Sequence, residues 1–281
     1  MFSTLASNGF TLRLTEATQG KEFDSGNARI NLDLSKIAFD TFRHREDSGN
    51  DNTSEIYIMN LDGSHQTRLT ANDAIDDAIP TWCNADIIFS RYESDTNQFD
   101  IYRMSTTDAD MDGNGDNLAP IIQTIADEFD PACSPDGRKI AFARTVAAGD
   151  SKIIVSNADG SDPVVLTSST AICNTPRWSP DGQWIAYSCD HHAPQTNISE
   201  IYRMRPVDVS PADGEGDDRV RETVSPSGSF ALSPSWSPDG QRLAYTVVTG
   251  PTNASYWKTV GVANETANPG VDGRTFITDW K

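Results

Sequence analysis

A chain of 281 residues with 22 basic and 41 acidic side chains carries a formal charge of -19, which repels phosphate backbones and anionic headgroups and sets nucleic acid aside as a partner. Hydrophobic residues make up 37 % and aromatics 9 %; this is a globular composition, and no apolar run approaches the ~20 residues that span a bilayer, so membrane insertion is not expected. The opening MFSTLASNGF has neither a basic nor a long apolar stretch, so no signal peptide is expected in this chain.

In chain order, MFSTLASNGFTLRLT (1–15) aligns after one gap with EIYIMNLDGSHQTRLT (55–70) and reads as the third and fourth strands of an incomplete unit. A first full unit, about 22–70, carries ARINLDLSKIAF (28–39) and ends its hairpin on Phe39. The second, about 74–124, carries PTWCNADIIF (80–89) and DIYRM (100–104). The third, about 126–167, carries ACSPDGRKIAF (132–142) and KIIVSNADGSDPVVLT (152–167). The fourth, about 172–224, carries RWSPDGQWIAYS (177–188) and EIYRM (200–204). The fifth, about 230–281, carries SWSPDGQRLAY (235–245), and RTFITDWK (274–281) reads as its last strand. The anchoring aromatics Phe39, Phe89, Phe142, Tyr187 and Tyr245 lie 50, 53, 45 and 58 residues apart, and each period holds two hairpins.

The turns SPDG and NADG combine Pro, which presets φ, with Asp and a Gly that supplies the left-handed residue closing a hairpin loop. Between them lie short β-branched and aromatic runs, too short for helices. Four antiparallel strands repeated at this spacing predict an all-β β-propeller whose blades bury their faces by stacking. SPDG…IA[FY] and the D-I-Y-x-M…D-G…L-T pieces resemble the WD40-like PD40 repeats of TolB-type β-propellers, over nearly the whole chain. We expect one domain, 1–281, with five full blades and a partial one in a five- or six-bladed ring, and an open blade edge that invites pairing with a neighbour.

The long polar loops at 40–54 and 188–199 join second to third strands, so a binding face is expected there rather than at SPDG. In the second unit DADMDGNGDN (108–117) replaces a tight turn. Asp108, Asp110 and Asp112 alternate, Gly113 allows the bend, Asn114 offers a carbonyl and Asp116 takes the ninth position, a spacing of hard oxygens that suits calcium. Ala119 replaces the usual bidentate Glu, and an acidic surface loop is the alternative. The matching loop of the fourth unit keeps only Asp213, Glu215 and Asp217 beside Gly214. Four residues before Ala28, Pro80 and Pro131 stand Asp24, Asp76 and Asp127, a column near the channel mouth flanked by Asp77, Glu128 and Asp130. Mutual repulsion there would favour a cation, and solvated acids round a wide ring are the simpler reading.

Of four cysteines, Cys83 and Cys133 read as buried apolar residues. If Pro180, Asp181 and Gly182 form the loop, Ser179 faces Gln183 and Trp178 faces Trp184. Six steps outward from that first pair, Cys173 meets Cys189, a disulfide pair if no bulge intervenes. His44 and His192 both follow their anchors by five residues and offer a second metal reading, beside His65 and His191. Asn52, Asn197, Asn253 and Asn264 begin glycosylation sequons, expected in loops.

Two functions follow. One is a non-catalytic, calcium-stabilised extracytoplasmic propeller that binds a protein or glycan or assembles with copies of itself. The other is an enzyme or enzyme part, since the resemblance extends to metal-dependent polysaccharide lyases and to the propeller of prolyl-oligopeptidase-type peptidases. The chain contains no G-x-S-x-G and no histidine-rich constellation, which favours the first. An intracellular WD40-type scaffold fits the calcium-like loop and the cysteine pair less well.

Overall fold

The computed structural model describes residues 25–42 (without 32 and 34), 53–71 and 75–147, then 150–167, 170–192, 198–207, 218–225 and 229–249. It adds the strand backbones at 3–5, 11–13, 252–259, 268–269 and 276–277. Asp24, His44, Asn52, Asn197, Asn264 and the acids Asp213, Glu215 and Asp217 lie outside the described residues.

Strands β1 (Ser3–Leu5) and β2 (Thr11–Arg13) open the chain. Next come β3 (Ser25–Ile30), β4 (Lys36–Thr41), β5 (Glu55–Asn60) and β6 (Thr67–Arg68), and then β7 (Asp77–Cys83), β8 (Asp86–Glu93), β9 (Gln98–Met104) and β10 (Ala119–Ile122). The following set is β11 (Glu128–Cys133), β12 (Lys139–Ala147), β13 (Asp150–Asn157) and β14 (Val164–Val165). After it come β15 (Cys173–Trp178), β16 (Ile185–Cys189), β17 (Glu200–Met204) and β18 (Val220–Arg221). The last are β19 (Ser229–Trp236), β20 (Arg242–Thr249), β21 (Thr252–Thr259), β22 (Asn268–Pro269) and β23 (Phe276–Ile277). No helix occurs among the described residues. From β3 onward each set of four forms an antiparallel sheet in sequence order, which is the blade expected from two hairpins per period.

The blade count differs from expectation. Four blades are described through all four strands, not five with a part blade, because β21 and β22 are placed as backbone alone. RTFITDWK is not the fifth unit's last strand: β22 fills that place, and β23 pairs parallel with β1, which pairs antiparallel with β2. Asn253, expected in a loop, lies in β21.

The chain divides into two compact units, Met1–Pro131 with Thr275–Lys281, and Ala132–Arg274. In the first, Ala38, Ile56, Ile58, Leu69, Ile87, Phe89 and Met104 form one core that joins the sheets β3–β6 and β7–β10. In the second, Ala186, Ile201, Ala231, Leu243 and Tyr245 do the same for the last two sheets. The repeated Ile-Ala-Phe/Tyr is a central strand covered on both faces, so its residues are buried without alternation. Its aromatic meets the third-strand tyrosine in register: Phe39 with Tyr57 at 5.7 Å, Phe89 with Tyr102 at 6.2 Å, Tyr187 with Tyr202 at 5.8 Å between ring centroids. Such cross-strand pairs add to sheet stability beyond the area they bury.

The motif's other residues join sheet to sheet. Trp82 donates its indole N–H to the Arg29 carbonyl at 2.9 Å, Trp178 to that of Ala132 at 3.0 Å and Trp236 to that of Arg177 at 3.0 Å. Trp178 therefore reaches the preceding sheet rather than facing Trp184, whose ring is instead covered by the guanidinium groups of Arg203 and Arg205 at 3.9 and 4.1 Å. Every SPDG turn is locked internally: Ser134, Ser179 and Ser237 hydroxyls donate to Asp136, Asp181 and Asp239, and these bonds hold the carboxyls below their ordinary pKa. Gly182 and Gly240, at φ +69°, sit over Pro135 and Pro180 of the preceding turns, so the turns tile against one another.

Candidate functional site

The 108–117 segment joins β9 to β10 and is fastened at both flanks. Gly115 donates to the Leu69 carbonyl at 2.8 Å, and Ala71 N–H donates to Asn114 Oδ1 at 3.1 Å. Gly115 has no substitute, since a Cβ there would stand 2.2 Å from the Ser105 carbonyl. Within the loop, carboxylate oxygens of Asp108, Asp110 and Asp116 lie within 4.8 Å of one another. The Asp112 amide donates to Asp108 Oδ1 at 3.1 Å and Asp110 Oδ1 at 3.3 Å, but its side chain lies outside the trio, where Oδ1 accepts the Asn114 amide at 2.7 Å, and the Asn114 side chain is turned to Ala71. Asp116 is drawn to the Thr107 hydroxyl and the Ala109 amide, and the Thr107 bond chiefly lowers its pKa. Three hard carboxylates on a Gly-bent loop fit calcium chemistry better than a softer ion.

Asp76 and Asp127 occupy equivalent places and do equivalent work. Asp76 Oδ1 accepts from the Ser54 amide at 2.8 Å and its hydroxyl at 2.6 Å, while Asp127 Oδ1 accepts from the Phe99 amide at 3.0 Å. Each thus fastens its chain to the start of the preceding third strand. Of the flanking acids, Asp77 pairs with Arg91 through two bonds of 2.7 Å, and Glu128 accepts the Thr124 hydroxyl at 2.5 Å.

Cys173 and Cys189 are paired in register and joined by a disulfide. Cys83 and Cys133, expected as buried apolar residues, are also disulfide-bonded, Cys83 buried and Cys133 half-buried, and no cysteine is free. Beside the first bridge, His191 Nε2 lies 3.8 Å from Cys173 Sγ, and the ring stands edge-on to Tyr202 and Tyr187 at 5.2 and 6.2 Å between centroids. Arg219 Nη1 is 3.3 Å from His191 Nδ1. His192, singled out from the sequence, has its Nδ1 3.5 Å from the Tyr202 hydroxyl, and burial pushes its pKa down.

No family model matches the chain. It is 29 % identical over 132 residues to the TolB homologue of Chlorobium luteolum, across 47 % of this chain and 26 % of that protein, so it spans about a quarter of the relative's length. Crystalline TolB of Acinetobacter baumannii superposes with a TM-score of 0.60 at 18 % identity, over 85 % of this chain and 54 % of that one. The fold is that of a TolB-type β-propeller. An oligogalacturonate lyase in complex with manganese also superposes, with a TM-score of 0.55 at 14 % identity over 92 % of this chain and 68 % of the lyase.

Two features of the propeller's blades escaped sequence reasoning. Glu55 and Thr70, buried, form a cluster with the half-buried Arg68 in the blade β3–β6, and Glu200 and Thr223 with the more exposed Arg221 repeat it in β15–β18. Thr70 and Thr223 also accept the amides of Ile56 and Ile201, so each cluster ties a fourth strand to a third. Burial raises Glu55 to about 7. The signal was present as E-I-Y followed by R-x-T at 55–70 and 200–223. The other is the seat of His191, four residues beyond the anchor Tyr187.

Proposed function

We propose that this propeller is a non-catalytic scaffold working outside the cytoplasm, stabilised by calcium at Asp108, Asp110 and Asp116, that binds a protein or glycan ligand or further copies of itself. The observation that carries the reading is the contrast between the SPDG turns of the later blades and the acidic loop of the blade β7–β10. The turns of the SPDG motif are saturated by their own hydrogen bonds and tiled on neighbours, while the acidic loop gathers three carboxylate oxygens within 4.8 Å. Disulfide bonding of all four cysteines supports an oxidising compartment, where calcium is plentiful enough for a modest site. Asp112 and Asn114 would complete the shell by turning inward from their present partners. The TolB likeness supports a protein partner.

Thermal melts test the calcium claim. With an extracellular-type affinity of ~10⁻⁴ to 10⁻³ M, calcium at a few millimolar should stabilise by about 1–2 kcal/mol and raise Tm by a few degrees over EDTA. Asp108→Asn with Asp110→Asn should abolish the difference. An unchanged Tm in the unsubstituted chain sinks the claim. Light scattering across concentrations tests self-assembly.

The manganese-bearing lyase supports a second reading, an eliminating enzyme acting on uronide chains. Incubation with oligogalacturonate and Mn²⁺ separates the two: an unsaturated product favours the enzyme, and its absence favours the scaffold.

A further inference from the structure

We propose that Cys173, Cys189 and His191 form a redox-gated site for a soft transition-metal cation, zinc or copper(I), separate from the acidic loop. One ligand atom from each lies within 4.8 Å of the other two. Two sulfurs and an imidazole nitrogen select these metals over calcium or magnesium, which take oxygen. The sheet holds the cysteines opposite each other at the ends of β15 and β16, and His191 stands in the turn two residues beyond β16. Both cysteines are fully buried, and His191 is part-exposed, which leaves the histidine side as the path of entry. Tyr202 and Tyr187, edge-on to the imidazole, limit its rotation.

The gate is the disulfide. A dithiol reductant transfers two electrons, the sulfur–sulfur bond breaks, two protons are taken up to give two thiols, and the reductant leaves as its own disulfide. Metal binding then releases both protons and forms two metal–sulfur bonds. A tetrahedral ion about 2.3 Å from each sulfur holds them about 3.8 Å apart, with His191 as third ligand and water as fourth. In the oxidised chain the sulfurs are bonded to each other and the site is closed.

The test uses the full chain, reduced anaerobically with dithiothreitol, desalted and titrated with Co²⁺ as a spectroscopic stand-in. The reduced chain should show a near-ultraviolet thiolate-to-cobalt charge-transfer band that saturates at one ion, and the oxidised chain should show none. His191→Ala keeps both cysteines and should weaken binding at least tenfold, with circular dichroism confirming its fold. Cys173→Ser with Cys189→Ser should remove the band, and Cys83→Ser with Cys133→Ser should retain it. A reduced chain without the band, or His191→Ala binding Co²⁺ as tightly as the unsubstituted chain, overturns the proposal. If the double serine variant does not fold, His191→Ala decides alone.

Discussion

In the blade β7–β10 the residue two past the anchor Phe89 is Arg91, in register with Asp77; in β15–β18 the residue two past Tyr187 is Cys189, in register with Cys173. One position near the end of the first hairpin is thus closed by an ion pair in one blade and by a disulfide in the other. The two bonds differ in what they need. The ion pair is nearly dry, with Arg91 6 % and Asp77 0 % exposed, and its fork of two 2.7 Å bonds leaves both charges dependent on each other. Arg91 also lies over Phe89 and Tyr102, 5.5 and 5.0 Å from their centroids. The disulfide asks for no solvent exclusion and acts largely by restricting the unfolded chain. A β-sheet fixes where a cross-strand link goes, and its chemistry is left free.

The largest effect should come from breaking the ion pair on one side. Asp77→Ala leaves a buried guanidinium uncompensated and should cost about 3–5 kcal/mol in urea unfolding, whereas Asp77→Val with Arg91→Leu should lie within about 1 kcal/mol of the parent. A double variant as unstable as the single one would show that this slot demands the charges themselves. Opening the disulfide should cost less. Its 16-residue separation predicts about 3 kcal/mol for Cys173→Ala with Cys189→Ala, again by urea unfolding.

Acidity separates the blades further. Glu55, in the blade β3–β6, keeps its proton to about pH 7 in the folded chain because burial disfavours its charge, while the unfolded chain releases it near 4.5. Between these values the folded state binds the extra proton, so this group's contribution to stability is full below pH 4.5 and is lost as pH rises through 7. From pH 5 to 8 the loss should be about 2 kcal/mol. Glu55→Gln should flatten that slope in urea titrations at the two pH values. The cost of removing the disulfide should be the same at both, since it has no proton to exchange.

The repeating turns, the anchors and the order of strands were legible because a tight turn and a doubly buried strand each demand a narrow set of residues. The cysteine pair was legible for a less secure reason. Placing Ser179 opposite Gln183 sets the register one residue out, since the turn bonds Ser179 to Trp184, and Trp178 faces Ile185. A bulge between Asn174 and Arg177 then slips the register back, and Cys173 meets Cys189 after two errors that cancel. The same bulge recurs at Gly26/Arg29, Ala78/Thr81 and Leu232/Ser235, always just before the Ala or Pro that opens the motif. Its residues Asn27, Ile79, Thr175 and Ser233 take positive φ. Strand prolines such as Pro176 make a bulge possible, but they do not fix its place or its effect on register, so Asp77 read as a channel acid rather than as the partner of Arg91. The amides freed by bulging are met from the preceding blade, Ile79 by Asp40 at 2.8 Å and Ser233 by Ser188 at 3.0 Å, and that requirement is tertiary.

The smallest effect tests whether the link between blades matters as much as the link within one. Trp178→Phe keeps a six-membered aromatic ring but loses the pyrrole part of the indole with its 3.0 Å bond to the buried Ala132 carbonyl, and should cost about 1–2 kcal/mol. Trp184→Leu removes only the stacking of Arg203 and Arg205 on a part-exposed ring, and should cost about 0.5–1 kcal/mol. Both are read as urea midpoints at constant m. The order is the informative part. If Trp184→Leu proves the more damaging, the tryptophans of RWSPDGQW hold their own hairpin more firmly than they hold the neighbouring blade. If Trp178→Phe does, the motif is chiefly a device for stacking, and Trp82 and Trp236, which make the same bond, should respond to the same change by the same amount.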